Sequence, residues 1–266
     1  MFSSHRFTNL VDAAWVIEAF AEGGEYPLLH FSLTGSVDSC MGRLSATKTR
    51  SKPRLTLVVL SDTHALHRDL DVPDADILVH AGDFTLFSLF SRSNRSIADF
   101  DKWLGELPHR HKIVVPGNHE YVLEKAASPK TTLHSACVLI NEGVEIDGLR
   151  FWGSPLTPLG GGAFGVASAT DRRNLDHQIP DGTDVLITHS PPFGILDSAP
   201  GSDFHAGCQE LLEAVKRVRP KLHMFDHIHA GYGTFTDDFT TYVNASLMGP
   251  YGALDKRPML FQFKGA

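Results

Sequence analysis

Leu55-Thr56-Leu57-Val58-Val59-Leu60-Ser61-Asp62-Thr63-His64 passes from an unbroken apolar stretch directly into an acid and an imidazole two residues apart. A short apolar run rich in β-branched residues, without polar alternation, reads as a strand covered on both faces. The same join recurs four times. Ile77-Leu78-Val79-His80 stops at Ala81-Gly82-Asp83, and Lys112-Ile113-Val114-Val115 at Pro116-Gly117-Asn118-His119-Glu120. Asp184-Val185-Leu186-Ile187 stops at Thr188-His189, and Lys221-Leu222-His223-Met224-Phe225 at Asp226-His227-Ile228-His229. A sheet interior is rigid, and loops leaving one edge of it converge in space. If the five strands share a sheet or two packed sheets, their terminal side chains are delivered to one place.

Working outward, helical stripes separate several of these strands. Ile97, Phe100, Leu104 and Leu107 fall on one helical face, with Ser96 as expected N-cap and Pro108 as stop; Cys208, Leu211, Leu212, Val215 and Val218 form a second stripe ended by Pro220. Strands alternating with helices indicate an α/β protein. Further strands at 138–140, 150–152, 240–244 and 259–263 are not all separated by helices, which points to mixed sheets in a sandwich with helices outside. Residues 1–53 differ in grammar. Leu10 to Phe20 predicts one short helix ended by Gly23-Gly24, and Gly35 to Pro53 reads as a poorly ordered linker. The expected organisation is therefore an N-terminal extension, 1–53, and one domain, 54–266.

Composition narrows the function. The chain has 266 residues and a formal net charge of -7, which argues against a binder of polymeric nucleic acid or of anionic membranes. A small phosphorylated substrate remains compatible, because bound cations would make a site locally positive. Cys40, Cys137 and Cys208 are too few and scattered for a disulfide framework. No apolar run approaches a membrane span, and the polar start, Met1 to Leu10, lacks a secretory core, so a cytoplasmic location is expected. Nothing in the sequence fixes the oligomeric state.

The strand-end residues are Asp, His and Asn, with no Cys. Asp62 and His64 can bind one ion from a single loop; Asp83, with two oxygens, could bridge two. Asn118 offers a neutral oxygen, and His189, His227 and His229 offer imidazole nitrogens. Two cations about 3.5–4 Å apart can hold the oxygens of a phosphate ester and offset the charge that builds in the transition state. A water shared between them would ionise near neutral pH and act as nucleophile, and His119 is placed to protonate the leaving oxygen. Mixed nitrogen and oxygen ligands suit two divalent ions drawn from Mn, Fe, Zn, Ni or Co, and Mg less well.

At these residues the chain resembles the calcineurin-like metallophosphoesterases, whose blocks D-x-H, G-D, G-N-H-[DE], H and G-H-x-H occur here in order. Gly82-Asp83-Phe84-Thr85, Trp152-Gly153-Ser154-Pro155, Thr188-His189-Ser190-Pro191-Pro192 and Gly231-Tyr232-Gly233 resemble the MPPED-type branch, some of whose members are described as cyclic-nucleotide phosphodiesterases. The resemblance covers about residues 54–250. It implies a two-sheet sandwich flanked by helices in four layers. It also implies that Asp62, His64 and His229 hold one metal, that Asn118, His189 and His227 hold the other, that Asp83 bridges them, and that His119 is the general acid. One position departs: the glycine before His-x-His is Asp226. A glycine there suggests unusual backbone, and the added carboxylate could disturb the second metal or orient His227.

The leading expectation is a dinuclear phosphoesterase acting on phosphodiesters such as nucleotides. A phosphomonoesterase, including one acting on phosphoproteins, and a non-catalytic metal-binding scaffold are the alternatives. Of the other histidines, His80 and His223 lie within apolar runs and read as core. His5, His30, His67, His109, His111 and His134 read as surface, and His205 as a candidate for the cleft mouth. Phe84, Trp152 and Phe193 flank the ligand segments; packing beneath the site is their expected role, with base stacking as the alternative.

Overall fold

The computed structural model describes residues 15–20, 54–86, 94–158 and 161–265. The apolar runs become the central strands. β2 (Arg54–Leu60), β3 (Ile77–His80) and β4 (His111–Val114) lie side by side and parallel, extended by the short β5 (Cys137–Val138). β12 (Met259–Gly265) runs antiparallel on the other side of β2, and β1 (Trp15–Phe20) closes that edge. The second sheet has parallel β7 (Leu149–Ser154), β8 (Val185–Thr188), β9 (Leu222–Phe225) and β11 (Thr241–Asn244) at its centre. Antiparallel β6 (Glu142–Ile146) and β10 (Gly233–Thr236) form its edges.

The pleat explains why these strands show no polar alternation. Leu55, Leu57 and Val59 join Ile77, Val79, Ile113, Val185, Ile187, Leu222 and Met224 in a core contributed by both sheets. Val58 and Leu60 point the other way, to Phe100 and Leu104 of α1 (Asn94–Glu106). Leu186, Phe225 and Tyr242 meet Leu211, Ala214, Val215 and Val218 of α4 (Gln209–Val218). Each central strand is thus covered twice, and the layers are helix, sheet, sheet, helix. This is the expected sandwich of two mixed sheets.

Several expectations need correction. Residues 15–20 are a strand, not a helix: β12 offers an open edge, and pairing with it decides the state of a short Val/Ile/aromatic segment. The rest of the expected helix, and the linker from Gly35 to Pro53, lie outside the described residues. α1 begins at Asn94, so Ser96 is inside it and is not its N-cap. His67 is buried, with Nε2 3.2 Å from an Asp99 oxygen and its ring against Phe100 and Trp103; His109 is buried too, its Nε2 2.9 Å from the Pro73 carbonyl. Neither is a surface histidine. His134 is exposed, and His5 and His30 lie outside the described residues. His80 and His223 are core residues, each with Nε2 beside a threonine hydroxyl, of Thr63 at 3.1 Å and of Thr188 at 2.9 Å, while the Nδ1 of His223 has no partner among the described residues. α2 (Tyr121–Lys125) and α3 (Ala169–Asp176) carry no stripe that the sequence reading could use. Cys208 is buried and in no disulfide among the described residues. Among the described residues no helix is long and apolar enough to cross a membrane.

Candidate metal centre

The parallel strands of both sheets end on one side of the molecule, and the residues after β2, β3, β4, β8 and β9 meet there. Contacts between the sheets are direct. The Nε2 of His229 lies 3.2 Å from Asp62 Oδ1, and that of His189 lies 2.8 Å from Asn118 Oδ1. Three donor groups form, in each of which one ligand atom per residue lies within 4.8 Å of the others: Asp62, His64 and His229; His64, Asp83 and His119; Asp83, His189 and His227. All eight residues singled out in the sequence are therefore gathered in one cluster, and Asp83 stands in two of the groups.

The backbone here is costly. Asp62, His64, Asp83 and His227 all adopt left-handed φ, between 41° and 70°. Each such residue costs on the order of 1–3 kcal/mol, and such strain concentrates where a fixed side-chain direction is needed. Asp226 is not among them: the unusual conformation falls one residue later, on His227, so the loop's strained position is not the one occupied by the family's glycine. Glycines matter at two close approaches. A Cβ on Gly117 would lie 2.6 Å from the Asp83 nitrogen and 2.7 Å from the His189 ring; one on Gly162 (φ +102°) would lie 2.8 Å from the Asn118 Cβ. Ala163 N–H then donates to the Asn118 carbonyl at 2.8 Å, which seats this turn beside the centre.

Glu120 is the residue whose role the sequence reading missed. Fully buried, it accepts N–H groups of Gly117 (2.6 Å) and Asp83 (3.0 Å) on one oxygen, and the N–H (3.0 Å) and hydroxyl (2.9 Å) of Thr85 on the other. It ties the loop after β3 to the loop after β4, and its place at the end of Gly-Asn-His-Glu was the available signal. Asp226 does not orient His227. Its Oδ1 lies 3.0 Å from His189 Nδ1, and both side chains are fully buried.

The electrostatics suit a divalent cation. Burial, with the charges of Glu120 and Asp62, pushes Asp83 well above the usual carboxylate range; burial lifts Glu120 to about 7 and raises Asp226 strongly. Burial pushes His64, His189 and His227 down, and takes His119 to about 4. Asp62 is the exception. Burial opposes its charge, but the hydrogen bond and charge of His229 and the charge of His189 hold it far below the ordinary range. Crowded acids facing neutral imidazoles are the donor set of a divalent cation. His64 Nε2 and His229 Nε2 stand 3.3 Å apart, both beside Asp62 Oδ1, so candidate ligand atoms from the two sheets meet at one place.

Two of the three flanking aromatics pack, and Phe193 departs from that expectation. Phe84 is fully buried and stacked on Phe100 at 4.0 Å. Trp152 packs against the cluster under α4, and Phe193 sits exposed beside His205. His205 is held by Asp197 at 2.7 Å.

This fold with this cluster defines a calcineurin-like phosphoesterase. The sequence model of that family matches residues 55–231, and the chain belongs to it. It is 33% identical to a UPF0046 protein of Caenorhabditis elegans over 84% of this chain and 80% of that protein. It is 38% identical to metallophosphoesterase domain-containing protein 1 of Homo sapiens over 71% of this chain and 65% of the human protein, in line with the MPPED-type resemblance. A solved structure with 16% identity shares the fold, covering 72% of this chain and 90% of its own, with a TM-score of 0.52.

Proposed function

We propose that the chain is a dinuclear metal-dependent phosphoesterase that hydrolyses small phosphodiesters, nucleotides among them. The observation that carries this reading is the sharing of Asp83 between the donor group of His64 and His119 and that of His189 and His227. Asp62, His64 and His229 would hold one ion, Asn118, His189 and His227 the other, with Asp83 common to both. Divalent ions bound there would offset the charge of the phosphate oxygens and supply an ionised water near neutral pH. Mn, Fe, Zn, Ni and Co all suit the donors.

The chain's own residues supply the rest. The Nδ1 of His119 lies 3.1 Å from the Thr85 carbonyl and can only donate to it, so Nε2, 3.6 Å from Asp83 Oδ2, faces the centre. A phosphate group arriving beside that nitrogen raises the proton affinity of a ring that burial otherwise keeps neutral, which suits protonation of the leaving oxygen. A cavity of about 380 Å³ opens next to His64, lined by Ala65, Leu66, Leu86, Met248 and Gly252. Among the described residues its lining holds no acid and no fixed cation, which suits an organic ester substituent better than a second charged group. That supports a diester over a monoester or a phosphoprotein.

The test is a panel of bis(p-nitrophenyl) phosphate and p-nitrophenyl phosphate with Mn, Zn, Mg and Ni in parallel. The expected result is a kcat/KM for the diester at least about tenfold higher, equivalent to about 1.4 kcal/mol. A tenfold preference for the monoester reverses the substrate assignment. No turnover with any metal, in protein that binds metal, favours the scaffold.

A further inference from the structure

We infer that Asp226, which stands at the glycine position of the G-H-x-H block the chain otherwise resembles, is a positioning residue that fixes the tautomer and direction of His189 so that its Nε2 faces the second ion. The inference rests on the metal-site reading above, but not on the chain's being a catalyst.

Two adjacent parallel strands make the clamp. The Asp226 backbone N–H donates to the His189 carbonyl at 3.1 Å, while Asp226 Oδ1 lies 3.0 Å from His189 Nδ1, so the two residues are joined at two points. Neither side chain is exposed to solvent, so water does not compete for the contact. On its other edge the ring presents Nε2 to Asn118 Oδ1 at 2.8 Å. A neutral imidazole has one N–H and one lone pair. If Nδ1 carries the hydrogen and Asp226 accepts it, Nε2 turns a lone pair toward an oxygen that also offers lone pairs, and a cation relieves that opposition. If Nε2 carries the hydrogen, the ring is satisfied by Asn118 and cannot ligate. Asp226 selects between these states by being an acceptor on the Nδ1 side, as carboxylates do behind many metal-bound histidines.

The surroundings are shaped for the pair. A Cβ on Gly82 would lie 2.7 Å from His189 Nδ1 and 3.0 Å from Asp226 Oδ2, so only a glycine at position 82 leaves room for both. Asp226 Oδ2 is buried with no hydrogen-bond partner among the described residues, a cost set against the contact of Oδ1 with the imidazole. The carboxylate is therefore not a neutral stand-in for glycine.

Two measurements decide. First, the imidazole tautomer of His189 is read by long-range ¹H–¹⁵N NMR in the metal-free wild type and in Asp226→Asn, which keeps an acceptor oxygen. The expected form in both is Nδ1–H; an Nε2–H form in the wild type overturns the inference, whatever becomes of the other variant. Second, Mn²⁺ binding is titrated calorimetrically in wild type, Asp226→Asn and Asp226→Ala. The expected result is a loss of about 10–100-fold at one of two sites in Asp226→Ala, the other site unchanged, with Asp226→Asn within about threefold of wild type. Wild-type affinities in Asp226→Ala, or an equal loss in both variants, overturn it. If Asp226→Ala does not fold, the tautomer and the Asp226→Asn titration decide. A chain that meets these expectations yet turns over no ester refutes the phosphoesterase reading alone, so the two failures are distinct.

Discussion

His64 and His119 direct their Nδ1 atoms at a single acceptor, the carbonyl oxygen of Thr85, at 3.3 and 3.1 Å. A carbonyl has two lone pairs and no hydrogen, so both rings must donate, and both are left with Nε2 unprotonated and facing the centre. Their ring centroids are 4.6 Å apart. One backbone atom therefore sets the direction of a candidate ligand and of a candidate acid together.

The two rings should nonetheless separate on mutation. His64→Ala removes a donor next to Asp62 and His229 and is expected to lower Mn²⁺ affinity by about tenfold or more. His119→Ala should leave Mn²⁺ affinity within about threefold while lowering kcat by about 10²–10⁴-fold, the usual worth of a positioned acid. Calorimetric titration and steady-state kinetics on both variants check this. Equal effects of the two on metal binding would contradict the division of roles.

Glu120 should prove intolerant of its nearest isostere. In Glu120→Gln one carboxylate oxygen becomes an amide NH2, which must face either the N–H groups of Gly117 and Asp83 or the N–H and hydroxyl of Thr85. Donor then confronts donor in a buried place. A loss of about 2 kcal/mol of stability is expected, seen as a lower urea midpoint at unchanged slope.

That anchoring role marks where the sequence stopped being readable. The strands were legible because both faces of β2, β3, β4, β8 and β9 are buried, which writes an unbroken apolar run into each. The ligands were legible because each follows such a run. What depends on partners distant in the chain was not. Whether 15–20 is strand or helix is settled by the free edge of β12. Whether His67 and His109 are buried is settled by Asp99, Phe100, Trp103 and Pro73. α3 exposes nearly all of its face, so no stripe announces it, although Ser168, whose hydroxyl oxygen lies 3.3 Å from the Asp171 N–H, leaves an S-x-x-D signature at its start. Asp226 was recognised as unusual, but its partner, His189, is 37 residues away on the neighbouring strand.

Away from the centre, Asp176 predicts a pH effect. Burial, reinforced by the charge of Glu210, lifts its carboxyl from the usual 3.8 to about 7, and its Oδ2 has no hydrogen-bond partner among the described residues. Between those values the folded chain keeps a proton that the unfolded chain has released, so this residue's contribution to stability is lost as pH rises through that window. Asp176→Asn is neutral throughout. It should match the wild type near pH 4 and be more stable by about 2 kcal/mol near pH 8, half or so of the full linkage after relaxation. Thermal melts at the two pH values check this; a variant less stable at pH 8 would refute it.

Asp83 combines the same physics with metal binding. In the metal-free chain its ionisation is opposed by burial and by Glu120 and Asp62, so at neutral pH the carboxylate burdens the fold. Asp83→Asn removes that burden while keeping a side chain of the same shape, and the metal-free variant should melt at or above the wild-type temperature. Mn²⁺ should act oppositely on the two proteins. At 100 times its Kd an ion stabilises the wild type by about 2.7 kcal/mol, or roughly 5–10 °C for a chain of this size. It should shift Asp83→Asn by much less, because the variant lacks the oxygen shared by both donor groups. Differential scanning fluorimetry with EDTA and with excess Mn²⁺ reads both effects in one experiment. A variant that melts lower without metal, yet gains as much from Mn²⁺ as the wild type, would mean that the carboxylate stabilises the fold rather than holding the ions.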